Sequence, residues 1–229
     1  MLGRQSFDAT IPRSHVRTYV STLGFHSTRV TRPVLKQGLD SGDRIVLLRP
    51  ADDDGGERAA EAISDIEDIV GQIDPDISVT VEQLPADDFT QTVREAVRVL
   101  NEATGEVIVT FGGGPREIFL PFTVAALVLR DEIDESLQFN DVDGSVQEVQ
   151  LPDLLTPISD TAMETLGVVD ELGGETTLPA IVEAHDRAKS TVGRHLDALE
   201  SAGAVETTQE GKTRLVGLTL AGELRLTHQ

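Results

Sequence analysis

Apolar and polar positions repeat with two periods along the first 150 residues, and the switches between them predict alternating strands and helices. Val16–Leu23 predicts a strand ending at Gly24-Phe25-His26-Ser27-Thr28, followed by a helix over Arg29–Gly38 that contains Pro33. Arg44–Pro50 is an aliphatic run with a polar rim, the pattern of a buried strand. The Asp/Gly stretch Ala51–Gly56 leads into a helix over Glu57–Ile73, whose Ala59, Ile63, Ile66, Ile69 and Val70 fall at helical spacing. Ile77–Leu84 predicts a third strand. Asp87 and Asp88 offer caps for a helix reaching Thr104, with Phe89, Val93, Val97 and Leu100 turned inward. A fourth strand, Glu106–Phe111, runs into Gly112-Gly113-Gly114-Pro115-Arg116, and a very apolar helix then extends to about Arg130. Ser136–Asn140 and Val146–Leu151, joined at Asp141-Val142-Asp143-Gly144, predict a closing antiparallel appendage. Strands alternating with helices imply an α/β fold: a mostly parallel sheet with helices on both faces.

The pattern changes after Pro152 and Pro157, which mark a linker over 152–158. Helices are predicted over Asp160–Leu172, Leu178–Ala184 and Ala188–Ala202. A hairpin follows, with strands Ala204–Thr208 and Thr213–Leu218 around Gln209-Glu210-Gly211-Lys212, and then a short helix over Thr219–Leu226. Three helices and a hairpin make a small α+β winged helix-turn-helix domain over 159–229, preceded by a sensor domain over 15–151 and a flexible extension over 1–14.

Composition sharpens this picture. The chain carries 40 acidic and 19 basic residues, for a formal charge of −21, and only Lys36, Lys189 and Lys212 are lysines. Such a surface suits a cytoplasm of high ionic strength, a halophilic setting in which salt screens carboxylate repulsion at short range. The aliphatic runs argue against disorder. No stretch approaches the ~20 apolar residues that span a bilayer, and no apolar signal-peptide core follows Met1, so a cytoplasmic protein is expected. With no cysteine there are no disulfides, thiolate nucleophiles or Cys-based zinc sites.

The helix over 188–202 carries an aliphatic stripe of Val192, Leu196 and Leu199 opposite Lys189, Ser190, Thr191 and Arg194. If it enters the major groove, Arg194 reaches guanine, and its first-turn side chains meet bases or phosphates of double-stranded DNA. Residues 157–229 are acidic in sum, with twelve acidic against six basic positions. Five of those six, Arg187, Lys189, Arg194, Lys212 and Arg214, nevertheless fall on this helix, its lead-in or the wing, and local concentration outweighs the sum. His195 joins them as a surface or phosphate contact. The competing reading is a small domain that binds protein or another copy of itself.

Two loops carry the second candidate chemistry: Gly24, Phe25, His26, Ser27 and Thr28, and Gly112, Gly113, Gly114, Pro115, Arg116 and Glu117. Each leads from a strand into a helix, where glycines allow close backbone approach, free amides attract phosphate and Arg116 adds a cation. The competing reading is an ordinary pair of glycine-rich turns. No Walker tail or Rossmann dinucleotide spacing occurs, His15, His26, His185, His195 and His228 form no metal-ligand pair, and no cofactor or metal is expected.

Tyr19-Val-Ser-Thr-Leu-Gly-Phe25, the Arg44–Pro50 strand, Thr110-Phe-Gly-Gly-Gly-Pro-Arg-Glu117 and the C-terminal winged helix together resemble the archaeal CRISPR-associated regulators that join a CARF domain (CRISPR-associated Rossmann fold) to a winged helix. The resemblance covers roughly residues 16–229 and implies a Rossmann-like first domain in a homodimer that binds a cyclic oligoadenylate, usually cyclic tetra-adenylate, across its two-fold axis. By position, Gly24–Thr28 and Gly112–Glu117 become the ligand loops, and Arg116 faces phosphate. Ligand binding would alter operator affinity and so transcription of CRISPR loci, without catalysis. Two alternatives stay open: a ring nuclease that cleaves its own cyclic ligand, and a regulator that senses another small molecule or none. Pro115 and the triple glycine depart from the bulkier loop of some members, and residues 1–15 have no counterpart there.

Overall fold

The computed structural model describes residues 16–51, 56–185, 187–211 and 213–227. The extension over 1–14 therefore lies outside the described residues, as do His15, Asp52, Asp53, Asp54, Lys212 and His228. The chain forms two compact units, Met1–Val149 and Gln150–Gln229.

The first unit is a six-stranded sheet. Its strands are β1 (Arg17–Thr22), β2 (Arg44–Pro50), β3 (Ser78–Leu84), β4 (Glu106–Phe111), β5 (Glu135–Phe139) and β6 (Val146–Glu148), in the order β3-β2-β1-β4-β5-β6. The first five run parallel and β6 is antiparallel to β5. The expected appendage is thus half right: β5 pairs parallel with β4, Thr110 opposite Leu137, and belongs to the main sheet.

Strand pleating sends alternate side chains to two cores. Tyr19, Ile45, Leu47, Ile108 and Leu137 pack under α1 (Thr28–Gln37) and α2 (Gly56–Ile73), meeting Val30, Val34, Ile66 and Val70. Val20, Leu48, Val107 and Val109 pack under α3 (Phe89–Glu102) and α4 (Arg116–Val128), meeting Ala96, Val99, Ile118 and Phe122. Burial on both faces explains why these strands read as aliphatic runs.

Helix α3 starts where expected, since the Asp88 carboxylate accepts from the Gln91 amide at 3.0 Å. Of the residues expected inward, Leu100 is buried and Val97 packs partly buried against the core. Thr92, Ala96, Val99 and Leu100 are buried, whereas Phe89 is 56% exposed. Small Thr92 and Ala96 let α3 approach its neighbours closely, and the Thr92 hydroxyl donates to the carbonyl of Asp88 at 2.7 Å.

In the second unit α5 (Asp160–Glu171), α6 (Leu178–Ala184) and α7 (Lys189–Ser201) pack with a three-stranded sheet of order β7-β9-β8. Its strands are β7 (Glu175–Thr177), β8 (Val205–Glu210) and β9 (Thr213–Leu218), and α8 (Leu220–Leu226) closes the chain. This is a winged helix-turn-helix with Leu166, Val169, Ile181, Val192, Leu196, Leu199 and Val216 at its centre. Hydroxyls cap three of its helices: Ser159, Thr177 and Thr219 accept from the amides of Ala162, Ala180 and Gly222. Strand β7 was missed from sequence; three polar residues carry no apolar alternation. Arg225 of α8 donates to the carbonyls of Asp153 (3.1 Å) and Thr156 (2.8 Å), so the stretch read as a linker is held against this unit.

Candidate functional site

Strand order reverses at β1, with β2 and β3 on one side and β4 on the other. Helix α1 leaves β1 for one face of the sheet and α4 leaves β4 for the opposite face. A crevice opens between their starts, at the carboxyl ends of both strands, the place where open α/β sheets receive ligands.

Close backbone packing shapes this crevice. A Cβ on Gly112 would overlap the carbonyl oxygen of Arg29 in the first turn of α1. Gly113 and Gly114 hold φ of +135° and +107°, which L side chains avoid. The Thr22 hydroxyl at the end of β1 donates to the Gly113 carbonyl, and Gly24 lies against the backbone of Gly114. The triple glycine is therefore required to seat this loop on β1 and α1 before any ligand arrives. Neither Ser27 nor Pro115, the caps of α1 and α4, makes a side-chain capping bond; the amides of Arg29, Val30 and Ile118 turn back to the carbonyls of His26, Ser27 and Pro115.

The resulting cavity, about 380 Å³, is lined by Leu23, Gly24, Phe25, His26, Arg29, Arg49, Gly114 and Pro115. Of the candidate ligand residues, Gly24, Phe25, His26, Gly114 and Pro115 line it directly. Gly112 and Gly113 form the packed back of the turn, while Ser27 and Thr28 open α1, with the Ser27 hydroxyl 3.2 Å from the Asp65 carboxylate. Arg116 and Glu117 are exposed on the first turn of α4, outside the lining.

Two cations in the lining escaped the sequence reading. Arg29 sits one residue into α1 and its Nε pairs with Asp141 at 3.0 Å. Arg49, 9% exposed, ends the aliphatic run Ile45-Val-Leu-Leu48 of β2. A cation closing an otherwise apolar strand was the available signal for Arg49. Phe25 is half exposed, with the Arg58 guanidinium 4.9 Å from its ring centre, within cation–π range.

In the second unit α7 buries Val192, Leu196 and Leu199 and exposes Lys189, Ser190 and Arg194, with Thr191 half-buried. Among the described residues neither Lys189 nor Arg194 forms an ion pair, whereas the other candidates are engaged. Arg187 pairs with Glu164 at 2.5 Å, and Arg214 of β9 bridges Asp197 (2.7 Å) and Glu200 (2.8 Å) on α7. His195 points inward rather than onto the surface. Its Nδ1 lies 2.7 Å from the hydroxyl of buried Thr165, which also meets Nε2 of His185 at 3.2 Å. Burial, then Arg187, His185 and Arg194, holds the His195 imidazole below its ordinary range. Among the described residues no group of three or more His, Asp or Glu is arranged to hold a metal, and no helix is long and apolar enough to cross a membrane.

Residues 17–147, more than half of the chain, match the model of the Csa3 CRISPR-associated Rossmann-like domain. The chain belongs to this family. No curated protein matches it. Solved structures that match include AF1382 from Archaeoglobus fulgidus (23% identity, covering 31% of this chain and 81% of that one, TM-score 0.28). A possible transcriptional regulator for arsenical resistance matches at 25% identity (30% of this chain, 71% of that one, TM-score 0.26). An ArsR family transcriptional regulator, RHA00566, matches at 24% identity (31% of this chain, 75% of that one, TM-score 0.25). These TM-scores are too low to carry an argument about fold or function, so the Csa3 match stands alone.

Two outcomes are expected. Gly112→Ala forces the Csa3 domain's turn away from α1 and lowers stability by about 1–3 kcal/mol, as overpacking does, read from thermal unfolding. His195 titrates below its unfolded value of about 6.5, so the unfolded chain takes up protons first as pH drops. Its contribution to stability is complete above that value and is lost as pH falls through the folded pKa. A melting temperature that declines below about pH 6.5, and declines less in His195→Gln, checks this.

Proposed function

We propose that this Csa3-family chain is a ligand-responsive transcriptional regulator of CRISPR loci, a sensor rather than an enzyme, at work in a salt-rich cytoplasm. The carrying observation is the crevice at the sheet's switch point: two arginines, two helix starts without side-chain caps, and glycine turns that admit a ligand against backbone. Those features favour an anionic, phosphate-bearing ligand. Together with the family resemblance they support a cyclic oligoadenylate, cyclic tetra-adenylate first. Arg116 and Glu117, at the rim of α4, are proposed to meet the part of the ligand that extends past the lining.

A ring with two-fold symmetry calls for a two-fold protein, and one cavity of about 380 Å³ suits a portion of such a ring. Leu120, Val124 and Val128 form an exposed apolar stripe at i, i+4 and i+8 on α4, the helix that begins at the crevice. That stripe supports a homodimer in which two crevices join. The second unit is proposed to bind operator DNA through Lys189, Ser190, Thr191 and Arg194, together with Lys212, which lies outside the described residues. At high salt counterion release adds little, so base contacts from α7 carry more of the affinity. Arg187, His195 and Arg214 support that helix through Glu164, Thr165, Asp197 and Glu200.

Footprinting on DNA upstream of the chain's own locus, with and without cyclic tetra-adenylate, tests the reading directly. Arg194→Ala should weaken protection by about five- to a hundredfold, the range of one base contact at ~1–3 kcal/mol, and leave ligand binding intact. An unchanged footprint removes α7 as the reading helix. Val124→Glu buries a charge in the proposed dimer face. Sedimentation should then show monomers, and tetra-adenylate affinity should fall about tenfold or more.

A further inference from the structure

Helix α1 directs three cations, Arg29, Arg32 and Lys36, onto the turn between β5 and β6. Arg29 Nε pairs with the Asp141 carboxylate at 3.0 Å, Arg32 donates to the Gly144 carbonyl at 2.8 Å, and Lys36 donates to the Val146 carbonyl at 2.6 Å. Arg29 differs from the other two because it also lines the crevice. Its side chain lies across Gly113, where an added Cβ would meet Nη1 and Cδ. One guanidinium thus faces a carboxylate through Nε while its body rests on the glycine turn of the ligand cavity.

We propose that Arg29 is the residue that reports occupancy of the crevice: it serves Asp141 when the cavity is empty and an anionic phosphate when it is filled, loosening the turn over 140–144. This rests on the crevice being a phosphate-ligand site, and adds the residue that senses occupancy and the segment that responds. The pair is partly solvated, with side chains 35% and 60% exposed, so solvent and salt already compete for it. A phosphate offers two or three acceptor oxygens to the same fork. Even if the guanidinium holds both groups, the phosphate places a second negative charge beside Asp141 and weakens the older contact. Arg32 and Lys36 bind carbonyls farther along the turn and strand and do not line the crevice, so the hairpin stays attached while its tip is released. Strand β6 ends at Glu148, and the second unit begins at Gln150. The loosened hairpin is therefore the last element before the DNA-reading unit.

The test pairs tetra-adenylate titration with amide exchange of full-length protein. In the wild type, cyclic tetra-adenylate should raise exchange over 140–146 several-fold. Asp141→Asn should show that faster exchange without ligand, and should bind the ring about three- to tenfold more tightly because a competing charge is gone. Arg29→Ala should bind more weakly, and its turn should exchange at the same raised rate with or without ligand. Binding to the wild type with unchanged exchange over 140–146, or unaltered affinity in Asp141→Asn, overturns the role of Arg29 alone. A wild type that does not bind the ring overturns this inference together with the reading beneath it.

Discussion

Three backbone segments meet at the head of the sheet with almost no side chain between them: the loop after β1, the triple glycine after β4 and the first turn of α1. Everything proposed for the first unit depends on that contact. It fixes how far the starts of α1 and α4 stand apart, and so the width of the crevice. It also lays the Arg29 side chain across Gly113 and into the lining. A bulkier residue at 112 would push the two loops apart before any question of ligand chemistry arose, because the space it needs is filled by the Arg29 carbonyl, while 113 and 114 are held to glycine by their positive φ.

In so acidic a chain, a cation without a carboxylate partner is informative. Arg98 is held by Glu82, Glu95 and Glu102, and Arg187 is held by Glu164. Arg214 shows why the pattern matters on α7. By bridging Asp197 and Glu200 it neutralises the carboxylates that follow Arg194 along the helix. The helix would otherwise present mixed charge to a polyanion. With those two acids engaged by the wing strand, Lys189 and Arg194 are left as cations of α7 that form no ion pair among the described residues. Arg214 therefore acts as an internal counter-ion for α7.

Most of the fold was legible because its strands are buried on both faces and its helices announce themselves by period and cap. The errors share a cause. The inward face of α3 was assigned to Phe89 and Val93 by hydrophobicity, yet Thr92 and Ala96 hold it, since small residues set how closely helices pack. Strand β5 was grouped with its antiparallel partner, because pairing across a long crossover leaves no local mark. At the crevice, sequence found the glycine loops but missed Arg29 and Arg49. Those arginines lie outside the motif and reach the cavity only through the order of strands and the first turn of a helix. Arg116 attracted notice by adjacency in sequence, which says little about the direction a side chain takes at a helix start.

Helix α7 is tied to α5 by an interaction that no motif displays. Thr165 on α5 places one hydroxyl between His185, in the turn that links α6 to α7, and His195 on α7 itself. That hydroxyl has one proton and two lone pairs, and it also faces the Thr161 carbonyl at 3.4 Å, so a proton given to that carbonyl leaves both lone pairs for the two rings. Burial in this contact, beside the guanidinium of Arg187, lowers the affinity of His195 for its proton. His195 is the residue next to Arg194, about 100° round the helix, so one is held toward α5 while the other stays exposed. Fixing His195 against α5 therefore sets the rotation of α7 about its own axis, and with it the direction in which Arg194 faces solvent.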